Sequence, residues 1–171
     1  LLDEFCGIYV RHMRDLGSPP HSRRFFHSLI DHFGDAVRLF VVRQGDMPVA
    51  ASLTLRDAQA ARVPWAGSDW RVRDLCANML LYWEMLSTWS RGGAPMFDFG
   101  RSTRDAGTYR FKRQWLAEEV QLHWQYLLPE GGELPELRHD SPKYRMMVAC
   151  WTKLPLWAAR CLGPRIIRKL S

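Results

Sequence analysis

The sequence predicts an α+β domain in which a mixed, mostly antiparallel sheet carries helices on both faces, followed by a basic helical tail. Two amphipathic helical segments open the chain, and a group of short β-rich segments follows them. Helical and β-rich segments then alternate, an order that packs helices against both faces of a sheet. The 171 residues are enough for one domain with a substantial core, since 47% of them are apolar.

The first half of the predicted domain consists of two helices and three strands. The helices run from about Asp3 to Leu16 and from about His21 to Gly34, a residue suited to a helix C-cap. Two β-rich segments around Gln44-Gly45-Asp46 predict a hairpin. The third segment, "ARVPWAGS", contains Pro64, which disfavours a central position in the sheet.

The second half begins with a long helix, predicted from Trp70 to Arg91 and capped by Ser68 or Asp69. Apolar residues at helical spacing predict its buried stripe, which contains Val72, Leu75, Cys76, Met79, Trp83 and Leu86. A fourth strand, "APMFDF", a short helix, "DAGTYRFKRQWL", and a fifth strand, "EEVQLHWQYLLP", complete the predicted domain.

We place this domain at residues 1–129, a linker at 130–140 and a helical tail at 141–171. Pro155 and Gly163-Pro164 are expected to break the tail into short helices. The chain begins at Leu1 without a signal-peptide pattern, which we interpret as a piece of a longer cytoplasmic protein. The four cysteines are far apart in sequence, and we expect reduced thiols in or near the core.

Positive charge is concentrated in the tail. Residues 141–171 contain seven basic side chains and no acidic ones, whereas residues 1–140 contain 17 basic and 18 acidic side chains. A protein that binds nucleic acid over its whole surface would carry basic groups on the body too. Two interpretations of the tail remain open: an amphipathic helix on the inner face of the cytoplasmic membrane, or a helix packed on the domain with its charges in water.

The segment "MFDFGRSTRDAGTYRFKRQW" predicts the functional site. Gly100 permits a turn at the end of a strand, where Arg101 and Ser102 would be delivered. Lys112, on the following helix, would project toward the same opening. Converging cations suit a phosphate, a carboxylate or a developing oxyanion. The alternative is a pair of surface cations, one of which neutralises Asp98.

The motifs "FDFGRS" and "GTYRFKRQW" together resemble the FemAB family of peptidoglycan-bridge aminoacyltransferases. The segments "RDLGSPP", "CANMLLYWEML" and "LPLWAARCLGPRIIRKL" are similar to the FemAB-related proteins of exosortase/PEP-CTERM systems. The family has the GNAT acyltransferase fold, with two such units. The resemblance implies that this chain is the C-terminal unit and lacks its first strand.

The resemblance also implies a function: transfer of an activated acyl or aminoacyl group to an amine or hydroxyl of a peptidoglycan or exopolysaccharide precursor. Lys112 matches a lysine that supports the transfer, and Arg101 and Ser102 match positions that could bind phosphate or acceptor. We add Tyr109, Trp65 and Trp70 as candidate substrate contacts, and Gly100 and Gly107 as turn residues. No tightly bound cofactor is expected; the donor would be aminoacyl-tRNA, acyl-CoA or an acyl carrier.

One segment departs from GNAT enzymes that use acetyl-CoA. These usually hold the pyrophosphate with a glycine-rich turn at a helix N-terminus, but "AGSDWRVRDLC" has one glycine, then Asp69 and Trp70. The six histidines show no metal-site spacing, and we expect solvated or capping roles without a metal. Two other functions stay open: a non-catalytic adaptor that binds an envelope precursor or RNA, and a peripheral-membrane scaffold.

Overall fold

The computed structural model describes residues 1–123, 125–128 and 142–169. The helices are α1 (Leu2–Asp15), α2 (Arg23–Phe33), α3 (Ala77–Arg91), α4 (Gly107–Arg113), α5 (Pro142–Thr152) and α6 (Leu156–Ile167). The chain divides into two compact units, one formed by Leu1–Gly100 with Met147–Ser171 and the other by Arg101–Met146. The linker predicted at residues 130–140 lies outside the described residues.

The first unit contains a four-stranded sheet in the order β1-β2-β3-β4. The strands are β1 (Val37–Gln44), β2 (Met47–Arg56), β3 (Ala61–Ser68) and β4 (Phe97–Asp98). The first three are antiparallel, and β4 runs parallel to β3. The predicted hairpin is confirmed: a two-residue turn joins β1 to β2, and Gly45 adopts a φ of 58° there, a conformation that favours glycine.

One face of the sheet packs against α1 and α2. Leu53 of β2 is fully buried in a cluster with Phe5, Tyr9 and Phe26. The ring of Phe26 meets the rings of Phe5 and Tyr9 edge-on, with centroids 4.9 and 5.1 Å away. Such edge-to-face contacts add to the stabilisation that comes from burying aromatic area.

The other face of the sheet packs against α3. Ser52 and Thr54 alternate with Leu53 along β2 and therefore point to the opposite face. The Ser52 hydroxyl donates to Met85 Sδ at 2.9 Å, and Trp89 Nε1 donates to Thr54 Oγ1 at 2.9 Å. Ser52 and Thr54, the two buried polar residues of β2, thus each have a hydrogen-bond partner. The predicted fold class, a mostly antiparallel sheet covered on both faces, is confirmed.

A bulge accommodates Pro64 within β3. Leu53 lies opposite Trp65 and Leu55 lies opposite Arg62, so one residue of β2 faces two residues of β3. A bulge leaves an extra residue outside the ladder, where a missing N–H costs no hydrogen bond. Pro64 therefore weakens the strand locally without ending it.

The prediction of a single long helix from Trp70 to Arg91 is wrong. Residues Trp70–Leu75 form a 3₁₀ helix, Cys76 adopts a left-handed φ of 51°, and α3 begins at Ala77. The left-handed residue changes the helical phase, so apolar residues before and after it do not share a face. Of the predicted stripe, Leu86 is half-buried, while Met79 and Trp83 are 38% and 60% exposed. The buried residues of α3 are Ala77, Leu81, Tyr82, Met85 and Trp89.

The prediction of a fifth strand is also wrong for the residues of this segment that the structure describes. No strand occurs in 118–123 or 125–128, and Val120 and Leu122 are 76% and 54% exposed. Alternating apolar residues form a strand only where a neighbouring strand and a buried surface are present. In the second unit, the described part of this segment has no strand beside it and no buried surface under it.

In the tail, the break at Pro155 is confirmed, because α6 begins directly after it. The predicted break at Gly163-Pro164 is wrong, since α6 continues to Ile167 with Pro164 inside. Proline inside a helix costs about 3 kcal/mol. The buried contact of Gly163 with Pro20 offsets part of this cost. In the described ranges, no helix is long and apolar enough to cross a membrane.

Candidate active site

The sheet opens between β3 and β4. These strands pair only through Ala61 with Phe97 and Arg62 with Asp98. Beyond this pair, β4 ends, whereas β3 continues for six residues to Ser68 without a partner residue in β4. Because strand edges carry backbone donors and acceptors, this stretch can hydrogen-bond an extended ligand.

A tight turn follows β4. Gly100 adopts a φ of 70°, and its N–H donates to Asp98 Oδ1 at 2.7 Å. Asp98 Oδ2 also lies 3.5 Å from Arg62 Nε. The Phe99 ring stacks on Tyr82, with centroids 5.7 Å apart, which anchors the turn to α3. The carboxylate of Asp98 therefore holds the turn and the neighbouring strand.

Lys112 and Arg101 lie together in the second unit. Lys112 Nζ donates to the carbonyl oxygen of Arg101 at 2.9 Å, which fixes α4 to the segment that follows the turn. Lys112 is half-buried, while Arg101 and Ser102 are exposed. Gly107 is the first residue of α4. The predicted proximity of the lysine to the Arg101 segment is thus present within this unit.

Tyr109, another predicted contact, belongs to a small polar cluster on α4. Its hydroxyl donates to Glu119 Oε1 at 2.8 Å, and this bond is the main cause of the raised pKa of Tyr109. Arg113 Nε lies 3.5 Å from the same carboxylate oxygen. Sequence reasoning missed Glu119, because it placed this residue in a strand.

The two candidate tryptophans occupy different environments. Trp65 is half-buried, and its ring lies 5.4–5.5 Å from the rings of Phe26 and Phe25, which belong to α2. Trp70, the first residue of the 3₁₀ helix, is 62% exposed. Trp65 therefore forms part of the packed core, and Trp70 presents its ring to solvent.

Residues 1–113 match the family model of an acetyltransferase (GNAT) domain. The chain belongs to the GNAT acetyltransferase family. The matched range contains the whole sheet, the opening between β3 and β4, and α4 with Lys112. No curated protein matches the chain significantly. GNAT membership implies an acyltransferase that has an acyl donor and an acceptor.

Acyl-CoA is the donor that GNAT domains typically use, and its pyrophosphate requires backbone donors at a helix start. Here the turn after β3 is occupied by Asp69, which is 6% exposed. Its carboxylate accepts from Arg71 N at 3.1 Å, Arg71 Nε at 2.9 Å and Arg11 Nη1 at 2.8 Å. The turn is thus already filled by an internal carboxylate.

The residues at this turn do not fit a pyrophosphate. An incoming anion would compete with the carboxylate of Asp69 for the backbone and guanidinium donors that Asp69 already uses. Gly67, the glycine of this segment, is explained by packing: a Cβ there would lie 2.8 Å from His12 Cβ. Sequence reasoning missed Arg11, because it lies 58 residues from Asp69 and no local pattern connects them.

The histidines correct one expectation. His12 is half-buried against β3, and burial lowers its pKa, as burial also does for His21. His21 stacks on Phe25, with centroids 4.3 Å apart. These two half-buried rings pack against neighbouring residues and are not fully solvated. In the part of the chain that the structure describes, no three His, Cys, Asp or Glu residues are grouped as metal ligands.

Proposed function

We propose that this GNAT protein is a FemAB-type transferase, which moves an activated acyl or aminoacyl group to an amine or hydroxyl of a peptidoglycan or exopolysaccharide precursor. The observation that carries the proposal is the bond from Lys112 Nζ to the Arg101 carbonyl. It holds an ammonium at the segment that directly follows the glycine turn of β4. The motifs "FDFGRS" and "GTYRFKRQW" support the FemAB assignment.

The proposed mechanism is direct attack without a covalent enzyme intermediate. The acceptor nitrogen or oxygen bonds to the acyl carbon, the bond to the donor's oxygen or sulfur breaks, and the acceptor proton leaves with that group. Negative charge develops on the acyl oxygen in between. Lys112 would stabilise this charge, and Arg101 and Ser102 would bind the donor's phosphate or the acceptor.

The donor class follows from the turn at Asp69. Since this turn does not fit the pyrophosphate of CoA, we expect a donor that does not depend on it, such as aminoacyl-tRNA or an acyl carrier protein. Arg101 is the cation placed for the donor's phosphate. In the first unit, exposed Trp70 is a proposed acceptor contact, and Trp65 would support it from the core. In the second unit, the hydroxyl of Tyr109 is a proposed acceptor contact. We place the reaction at the inner face of the cytoplasmic membrane, where lipid-linked precursors are made.

Lys112→Ala tests the proposal. Loss of an oxyanion-stabilising donor is expected to lower kcat about 100-fold or more, while the circular dichroism spectrum stays unchanged. Lys112→Arg should retain part of the rate because the charge remains. Arg110→Gln, which removes an exposed cation from the same helix, is the matched control and should retain full activity. Undiminished turnover by Lys112→Ala would refute the assignment.

A second function is favoured by the filled turn at Asp69. A GNAT unit whose phosphate-binding turn is closed by its own carboxylate could bind the envelope precursor without catalysing transfer. This adaptor would bind the precursor with equal affinity in the wild type and in Lys112→Ala, and neither protein would turn over. Binding and turnover measured on the same two samples separate the two functions.

A further inference from the structure

Helix α6 has an outer surface that the proposed reaction does not use. We call it the α6 surface, and it comprises the exposed side chains of Trp157, Arg160, Leu162 and Arg165 on α6 and of Arg168 and Lys169 directly after the helix. Trp157 is 72% exposed. At 100° per residue, Trp157, Arg165 and Arg168 lie within an arc of about 80°. Leu162 lies about 60° beyond one edge of this arc, whereas Ile166 lies on the opposite side of the helix from Trp157, about 20° from buried Ala159.

The opposite side of α6 is fixed to the first unit. Ala158, Ala159 and Gly163 are buried. Gly163 packs so closely on Pro20 that a Cβ at Gly163 would lie 2.4 Å from Pro20 Cδ. This contact prevents the helix from rotating to bury Trp157 and its neighbours. The α6 surface is therefore presented on a rigid support.

The charge of the α6 surface has one sign. The sequence from residue 141 to 171 contains no Asp or Glu. Among the described residues, no carboxylate lies within 4.0 Å of the charged nitrogens of Arg160, Arg165, Arg168 or Lys169. Arg160 interacts at longer range with the carboxylate of Asp3, and the four cations together are complementary to a surface of high negative charge density.

We propose that the α6 surface binds an anionic lipid bilayer, with the helix lying in the plane of the membrane interface. Cations alone would suit RNA equally well, but Trp157 is exposed within the same arc and Leu162 is exposed next to it. A bilayer accepts an indole at the headgroup level and aliphatic side chains below it, whereas a phosphate backbone gains nothing from leucine. From Trp157 to Ile167 the helix spans about 15 Å, which suits contact along the interface and is too short to cross it.

Flotation of the full chain with vesicles tests this inference. Vesicles of phosphatidylcholine mixed with phosphatidylglycerol are expected to bind the chain, and vesicles of phosphatidylcholine alone are expected to bind it far more weakly. Each basic residue near an anionic leaflet contributes about fivefold in partitioning, so Arg165→Gln/Arg168→Gln should bind about 25-fold more weakly. Trp157→Ser should also lose binding, at unchanged charge.

The matched control is Arg24→Gln/Arg73→Gln, which removes two exposed cations from the same unit outside α6. This variant should retain binding. An equal loss in the control would show a non-specific charge effect and overturn the inference. Binding that is unaffected by Arg165→Gln/Arg168→Gln would also overturn it. So would binding of polyuridylate RNA, with no binding of vesicles, that depends on Arg165 and Arg168.

Discussion

At the residue scale, the end of β3 is shaped by contacts with α1. His12 covers Gly67, and Arg11 donates to the buried carboxylate of Asp69. A carboxylate at the start of a helix interacts favourably with the helix dipole. Asp69 also forms ion pairs with the guanidinium groups of Arg11 and Arg71. These contacts occupy the turn after β3, which we propose to be the counterpart of the pyrophosphate-binding turn of GNAT enzymes. Because Gly67 has no side chain, His12 can pack directly against it, and the space at this glycine is not open to a ligand.

Gly67→Ala tests this packing. The added Cβ would lie 2.8 Å from His12 Cβ and 2.9 Å from His12 Cγ, so α1 or β3 must shift. Overpacking of this kind is expected to lower the free energy of unfolding by about 1–3 kcal/mol, measured by urea denaturation. Gly7→Ala in α1 has no atom within 4 Å of the new Cβ and should leave stability unchanged or slightly raised. Equal stability of both variants would contradict the packing role.

The buried histidines predict how stability depends on pH. Burial lowers the pKa of His12 and of His21 below the ordinary value of 6.5, so the folded rings resist protonation. Above pH 6.5 both states hold neutral rings and nothing is lost. As the pH falls below 6.5, the unfolded state takes up protons that the folded state does not, and the free energy of unfolding falls.

The measurement is the urea midpoint between about pH 7.5 and about pH 5.5, a range above most carboxylate titration. Wild-type midpoints should decrease steadily below pH 6.5. His12→Gln/His21→Gln should show a flatter profile, whatever its absolute stability. A wild-type midpoint that rises on acidification would show that the folded rings favour the proton, against the burial argument.

At the element scale, the elements with local signals were predictable, and those set by tertiary contacts were not. The hairpin could be predicted because Gly45 favours a turn by its residue type. Helix α2 could be predicted because Ser22 and Gly34, which cap it, are residue types that favour helix ends. The kink at Cys76 could not be predicted, since nothing in the sequence indicates that this cysteine adopts a left-handed backbone conformation. The continuation of α6 through Pro164 depends on the distant contact of Gly163 with Pro20, which no local pattern contains.

Gly163→Ala tests the docking of α6. A Cβ at this position would lie 2.8 Å from Pro20 Cγ and 2.9 Å from the backbone oxygen of Pro20, and backbone cannot move aside easily. We expect α6 to detach or to pack with a loss of about 1–3 kcal/mol, observed as faster amide hydrogen exchange in α6 than in α1. Cys161→Ala, at an exposed position of α6, is the control. Unchanged exchange in α6 would show that this contact does not hold the helix.

At the scale of the whole molecule, the fold class and the GNAT family could be predicted from the sequence, while the FemAB type stays a proposal and the details of the site could not be predicted. The motif predicted that Lys112 lies near the Arg101 segment, and Lys112 does bond to the Arg101 carbonyl, while the functional role of this region stays a prediction. Glu119 and Arg11 could not be identified from the sequence, because their roles depend on tertiary contacts. Glu119 bonds to Tyr109, and Arg11 bonds to Asp69. The identity of donor and acceptor remains a proposal that rests on resemblance and on the closed turn at Asp69.

The most direct test is mass spectrometry of a lipid-linked envelope precursor after incubation with the chain and a charged aminoacyl-tRNA. The account predicts that the precursor gains the mass of one aminoacyl group. It also predicts that acetyl-CoA in place of the charged tRNA gives little or no product. No mass gain from a folded, precursor-binding chain with any activated donor would contradict the transferase assignment, and efficient transfer from acetyl-CoA would contradict the closed turn.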